Sequence, residues 1–224
     1  MSCSDFVSVF EKMFPFWNSI SQADKDFICD NSLAVSYPKS TNVHNADQCS
    51  GVFLVRKGTL RVYIMSEEGK EITLYRLHSG DMCMLSASCV LQTITFDVFV
   101  DAEEESDCIV INGTAFSTVS QRNPDIKIFA LEMAVSRFSD VMWVMQQILF
   151  MSVDKRLAIF LADEIARTQS DMVPMTHEQI AKYMGSAREV VSRMLKYFAN
   201  EGIVELSRKG VTVIDKSKLR ALTI

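Results

Sequence analysis

The 224-residue chain has only three histidines, four prolines and six cysteines, and no two of the cysteines form a Cys-x-x-Cys pair. Positions 3, 29, 49, 83, 89 and 108 therefore supply neither zinc-finger spacing nor the framework of a disulfide-stapled scaffold. Long apolar runs are missing too. The strongest candidate, Val141 to Val153, contains Gln146 and Gln147 and lies between Asp140 and Asp154, so no transmembrane helix is expected. The amino terminus has no signal-peptide pattern, and a reducing cytoplasm is the expected location. An enzyme needs a nucleophile, base or metal with workable partners, and the sequence supplies no convincing set. Asp101, Glu103, Glu104 and Glu105 come nearest, but their place between expected strands reads as a solvated acidic turn. No catalytic residue and no metal ligand is assigned.

What is present suits two modest domains: 48% of residues are hydrophobic, ample for packed cores in a chain of this length. The net charge of -5 is unevenly divided. Residues 152–224 carry 12 Lys and Arg against 9 Asp and Glu, +3, whereas residues 1–151 carry 11 against 19, -8. Positive charge suits contact with phosphates, and negative charge suits a part that stays off nucleic acid.

The most informative stretch is Met175 to Asn200, MTHEQIAKYMGSAREVVSRMLKYFAN. Thr176-x-x-Gln179 and Ser186-x-x-Glu189 are capping-box patterns ten residues apart and predict two helix starts. Gly185 between them permits a sharp turn, so the first helix is expected over His177 to Met184 and the second to end near Asn200. On the second, Val190, Val191, Met194, Leu195 and Phe198 share one side, while Arg188, Glu189, Ser192, Arg193 and Lys196 share the other. The polar side has the chemistry of a major-groove reader. Arginine forks match the O6 and N7 of guanine, glutamate accepts from the cytosine amine, and serine is an adaptable partner. Lys196 suits a phosphate better. Gly202 then ends the helix, and Ile203 to Leu206 and Val211 to Ile214 alternate as strands about a Ser207-Arg208-Lys209-Gly210 turn, a wing with a basic tip.

Thr176 to Ile214 resembles the DNA-binding domain of the cAMP receptor protein and fumarate/nitrate reduction regulator (Crp/Fnr) family, above all in Gly185-Ser186-x-Arg188-Glu189-x-x-x-Arg193-x-Leu195. The resemblance implies that Arg188, Glu189 and Arg193 read bases of double-stranded DNA in a palindromic site with TGA-containing halves. Ser192-Arg193 after Glu189 is similar to the oxygen-sensing branch. Thr176, Ser186, Ser192, Lys196, Arg208 and Lys209 complete the expected DNA-contacting set.

Upstream, Phe6 to Asn31 suggests short helices interrupted by Pro15 that form a packing lid. Gly51, Gly58, Gly69 and Gly80 then punctuate alternating segments, Val52 to Val55, Leu60 to Ile64, Ile72 to Leu77, Thr93 to Val100 and Cys108 to Ile111, which predict a β-roll or small barrel. Gly51-Val-Phe-Leu-Val-Arg-Lys-Gly58, Glu68-Gly69-Lys-Glu-Ile-x-Leu-x-x-Leu and Gly80-Asp81 resemble the same family's cyclic-nucleotide-binding-like domain. The expected fold class is thus α+β.

Asn123-Pro124-Asp125 marks a helix start, with Asn as N-cap and Pro at the first helical position. Ile126, Ala130, Met133, Phe138, Val141, Met145 and Ile148 step by threes and fours as a two-helix seam requires. About 27 residues of helix span roughly 40 Å, enough for a homodimer axis. Phe129, Trp143 and Phe150 are expected to pack. Ser152-Val153-Asp154 reads as a hinge before an amphipathic helix over Lys155 to Arg167. The expected division is residues 1–122 as sensor, 123–151 as dimer helix and 152–224 as DNA-binding domain.

The sensor's ligand is constrained by an absence: no Arg or Lys occurs between Arg76 and Arg122. In nucleotide-binding relatives a Gly-Glu pair holds the ribose and an Arg-Ser/Thr pair the phosphate, and the matching positions here are Met84-Leu85 and Phe96-Asp97. An aspartate there repels phosphate, so regulation by cyclic AMP is not expected. Cys83, Met84, Leu85, Ser86, Cys89, Phe96 and Asp97 instead define an apolar pocket for an unknown small apolar or aromatic effector. A redox or soft-metal role for Cys83 and Cys89 is the alternative, although buried Cys and Met commonly serve as core fillers. No cofactor is expected. Haem sensors of the family follow Cys-Met with a histidine ligand, where this chain has Leu85 after Cys83-Met84, and an iron–sulfur cluster needs clustered N-terminal cysteines, where only Cys3 occurs. The resemblance allows RNA polymerase as a further partner.

Overall fold

The computed structural model describes residues 3–44, 51–83 and 98–224. The chain divides into two compact units, Met1–Ile64 with Leu74–Val141, and Met65–Thr73 with Met142–Ile224. No helix among the described residues is long and apolar enough to cross a membrane.

In the first unit, helices α1 (Cys3–Met13) and α2 (Gln22–Asp30) flank the expected interruption at Pro15. Ser21 caps α2 by accepting from the Asp24 amide. Phe10, Phe14 and Trp17 are almost fully buried, with Phe10 and Trp17 ring centroids 5.0 Å apart. This aromatic layer is core rather than motif: it merges with Leu54, Ile109 and Phe116 in one cluster.

The β-roll has two four-stranded antiparallel sheets. One runs in the order β1 (Ser32–Tyr37), β8 (Ser106–Ile111), β3 (Val52–Lys57), β6 (Met82–Cys83). The other runs β2 (Asn42–His44), β7 (Phe99–Ala102), β4 (Leu60–Met65), β5 (Glu71–Leu77). The expected strands that fall on described residues are present. Thr93 to Asp97, at the start of another, lie outside them, and β1, β2 and β6 were not anticipated. Buried Val55, Leu60, Val62, Leu77, Cys83, Val100 and Cys108 fill the space between the sheets. The acidic turn is more engaged than its composition suggests. Glu103 pairs with Arg76 at 3.2 Å, and Glu104 accepts from the Thr59 hydroxyl at 2.6 Å.

After α3 (Gly113–Arg122), capped by Asn112 through the Ala115 amide, the 27-residue helix α4 runs from Pro124 to Phe150. Asn123 starts it in extended conformation, while its side-chain amide donates backward to the Val119 carbonyl of α3. The expected seam on α4 is corrected. Ile126 and Ala130 are buried, Met133 packs against their cluster and Val141 packs in the roll, so four seam residues belong to the protomer's own interior. The exposed apolar stripe is Ile128, Leu131, Val135, Phe138, Met142, Met145 and Leu149, stepping strictly by three and four. Phe129 packs as expected, edge-on to Phe14 and Phe16, but Trp143 and Phe150 are 45% and 80% exposed.

The second unit contains α5 (Val153–Thr168), α6 (His177–Met184), α7 (Arg188–Asn200) and α8 (Lys216–Ala221) with a three-stranded sheet. In that sheet β11 (Gly210–Val213) lies between β10 (Val204–Ser207) and β9 (Met172–Val173). The interruption before α5 is shorter than the expected hinge: only Met151 and Ser152 are non-helical, and Val153 and Asp154 begin the helix. Leu157, Leu161, Ile180, Val191, Leu195, Phe198 and Val211 are all fully buried in one core. Arg156 of α5, a buried residue, donates its guanidinium to the carbonyl of Met184, the last residue of α6. A cation at that carbonyl both satisfies an orphan acceptor and opposes the helix dipole.

Candidate nucleic-acid interface

The interface is built from the α6–α7 turn outward. Thr176 accepts from the Gln179 amide at 3.2 Å and Gln179 accepts from the Thr176 amide at 2.8 Å, the full reciprocal cap expected. Gly185 adopts φ +57°, the left-handed conformation that lets the chain leave α6. The second expected cap is corrected. Ser186 still belongs to the end of α6, its amide donating to the Ala181 carbonyl at 2.9 Å, and α7 starts at Arg188 after Ala187 with no side-chain cap.

The helix bounds are otherwise those expected, His177–Met184 and Arg188–Asn200. Val191, Leu195 and Phe198 are buried, and Val190 and Met194 are half-buried. On the opposite side Arg188, Glu189, Arg193 and Lys196 are exposed, and Ser192 is half-buried. These five line an open concavity of about 460 Å³. Among the described residues, none of the four charged side chains has a hydrogen-bonding or ion-pair partner. Four long charged groups held out on one helical face, without internal neutralisation, can take partners from elsewhere.

Sequence reasoning missed what steadies this face. His177 Nδ1 lies 2.8 Å from Ser192 Oγ, tying the first turn of α6 to the middle of α7. Ser192 is thereby oriented and keeps one hydroxyl capacity for an outside partner. Partial burial, then the positive charges of Arg188 and Lys196, hold the His177 imidazole below the ordinary histidine range. Nothing in a lone histidine at a helix start signals such a link. Thr176 is exposed beside the reader, Ser186 half-buried.

Arg208 and Lys209 form the two-residue turn between β10 and β11, and both are exposed. Gly210 follows at φ +141°, where a Cβ would lie 2.1 Å from the Val173 carbonyl oxygen. Only glycine lets β9 close against the wing.

Of the expected effector-pocket residues, Met84, Leu85, Ser86, Cys89, Phe96 and Asp97 lie outside the described residues. Cys83 is fully buried, 4.0 Å from the Tyr75 hydroxyl. Burial, helped by Asp107, pushes the Cys108 thiol up to about 12, which makes it inert. Among the described residues no three His, Cys, Asp or Glu cluster as a metal site.

A two-sheet roll, a long helix and a winged helix-turn-helix on one chain define a β-roll protein of the winged helix-turn-helix class. Residues 35–123 match the model of the cyclic nucleotide-binding domain, and residues 155–222 that of the Crp-like helix-turn-helix domain. The chain is 42% identical to a Crp/Fnr-family protein from Eubacterium rectale whose crystal structure superposes with a TM-score of 0.91, covering 94% of this chain and 98% of that one. It is also 27% identical to the transcriptional activator protein anr of Pseudomonas aeruginosa over 79% of this chain and 74% of the relative. The cAMP-activated global transcriptional regulator CRP of Salmonella typhimurium is 25% identical over 79% of this chain and 87% of the relative. The chain belongs to the Crp/Fnr family of transcription regulators.

Proposed function

We propose that the chain acts as a homodimer that inserts two α7 helices into successive major grooves of a palindromic double-stranded DNA site, under control of a small effector in the β-roll. The observation that carries this reading is the outward face of Arg188, Glu189, Arg193 and Lys196, unpaired among the described residues and anchored from beneath by the His177–Ser192 link. Arg188, Glu189 and Arg193 read bases, while Lys196, Arg208, Lys209, Thr176 and Ser186 meet or flank the phosphate ridges.

Dimerisation rests on the α4 stripe. Seven apolar residues, each at least 43% exposed at coiled-coil spacing, are left uncovered by the described residues. Two protomers joined there present half-sites about 34 Å apart, which supplies the specificity that one short helix lacks. Residues 1–122, 123–151 and 152–224 serve as sensor, dimer helix and reader. RNA polymerase is a further partner where the regulator activates. The effector differs from the cyclic AMP of the relatives named for it, because the roll sequence from residue 77 to residue 121 offers no Arg or Lys for a phosphodiester.

Selection from a random DNA pool followed by mobility shifts at fixed salt tests the reading. Arg193→Ala is expected to lower affinity for the selected site roughly 10- to 100-fold, an effect of about 1–3 kcal/mol, with little change for random DNA. Its melting temperature stays put, since Arg193 is exposed. Equal loss on selected and random DNA would remove Arg193 from base reading.

A further inference from the structure

Arg137 brings to the roll a cation that comes from the long helix rather than from a strand. It lies on the side of α4 that also carries Ile126, Ala130, Met133 and Val141, away from the exposed stripe. Its side chain is 15% exposed, and its guanidinium stands 4.8 Å from the centre of the Tyr75 ring. One end is satisfied: Nη1 donates to Asp140 at 3.0 Å. The other edge is not. Nη2 reaches the Met82 carbonyl only at 3.5 Å, and Nε is buried with no acceptor among the described residues.

Tyr75 shows the same deficit. Its hydroxyl is deeply buried, and among the described residues its hydrogen-bonding neighbour is the Cys83 thiol at 4.0 Å, a weak partner at long range. Burial, then the neighbouring Cys83, raises its pKa well above that of an ordinary phenol, so the hydroxyl keeps its proton and stays a donor. Two under-satisfied donors, one on α4 and one on β5, thus meet beside β6.

We propose that this edge of Arg137, with the Tyr75 hydroxyl, binds the carboxylate of a small organic acid whose apolar body packs against the roll's interior. The proposal rests on the reading of the roll as an effector-binding domain and assigns that effector a chemical class. The planar Nε–Nη2 edge matches the two oxygens of a carboxylate, whereas Asp140 already occupies Nη1. Phe53, Leu74, Cys83 and Val141 are in the surrounding core, so an anion without an apolar body would leave that surface unused. A carboxylate there joins α4 to β5, and the dimer helix then responds to occupancy directly.

Thermal melts of the full chain test this with benzoate and octanoate, each against its primary amide, and with inorganic phosphate and cyclic AMP as separate arms. At ten times its dissociation constant a carboxylate is expected to raise the melting temperature by about 3 °C. Its amide should not, and the shift should vanish in Arg137→Gln and shrink in Tyr75→Phe. Should Arg137→Gln fail to fold, Arg137→Lys keeps the charge without the planar edge and is expected to lose most of the shift. Four outcomes overturn the site: equal shifts with acid and amide, full shifts in the Arg137 variants, shifts with phosphate or cyclic AMP alone, or none with any probe. Mobility shifts on the same preparations separate the two readings. DNA binding without a carboxylate response removes only the ligand class, whereas absent DNA binding strikes the regulator itself.

Discussion

A histidine held neutral at the reader makes the protein's acid response specific. His177 is bonded to Ser192 at 2.8 Å, and its partial burial, then the flanking charges of Arg188 and Lys196, keep its folded pKa below the usual value. His44 is also lowered, by burial alone. The unfolded chain therefore takes up protons first. The stability these two contribute is fully present above the unfolded histidine pKa of about 6.5 and is lost as the pH falls from there through their folded values. Denaturant melts should show lower stability at pH 5.5 than at pH 7.5, with a smaller difference in His177→Gln. DNA adds the opposite sign. Phosphates near His177 favour its charged form, so wild-type affinity should rise over the same acid interval and that of His177→Gln should rise less. Equal pH slopes for the two proteins, in both measurements, would leave His177 with only its hydrogen bond to Ser192.

At the scale of elements, α4 shows both what spacing can reveal and where it fails. Its length and start were legible from Pro124 and the apolar periodicity. Its outward face was not, because the helix is apolar on two sides and steps of three and four fit either one. Only the packing of Ile126, Ala130 and Val141 leaves Leu131, Val135, Phe138 and Met142 as the exposed face on which the proposed seam lies. Helices α6 and α7 were legible nearly to the residue, since Thr176-x-x-Gln179 and Gly185 act locally. Ser186 misled because its pattern fits a cap while its backbone amide is committed to Ala181. Strands β6 and β9, two residues each, had no signal, for they exist only by pairing with β3 and β11 far away in sequence. Much of the expected effector pocket fell outside the described residues, and Arg137 was invisible as part of the roll, because only the fold brings α4 to Tyr75. The seam yields a direct prediction. Val135 and Phe138 are 65% and 64% exposed, so Val135→Glu with Phe138→Glu should leave the protomer folded. Sedimentation should then show monomer where the wild type is dimer, because like charges would face each other across the seam. A dimer that survives this pair would place the interface elsewhere.

For the whole molecule, charge distribution and duplication combine. Residues 1–151 carry -8 and residues 152–224 +3, so the field that attracts DNA is local to the reader, and phosphate contacts must come from identified side chains rather than from general basicity. Such contacts release counterions, and log K falls with log salt by about 0.9 for each phosphate neutralised. Arg208 and Lys209, duplicated in a dimer, amount to four contacts. Replacing both with glutamine should flatten the salt slope by about 3 to 4 and weaken selected and random DNA alike, unlike Arg193→Ala. Placed on the monomeric seam variant, the same pair should flatten the slope by only half as much, because a single wing then reaches the duplex. An equal decrement in both backgrounds would mean that the two wings never engage one site together.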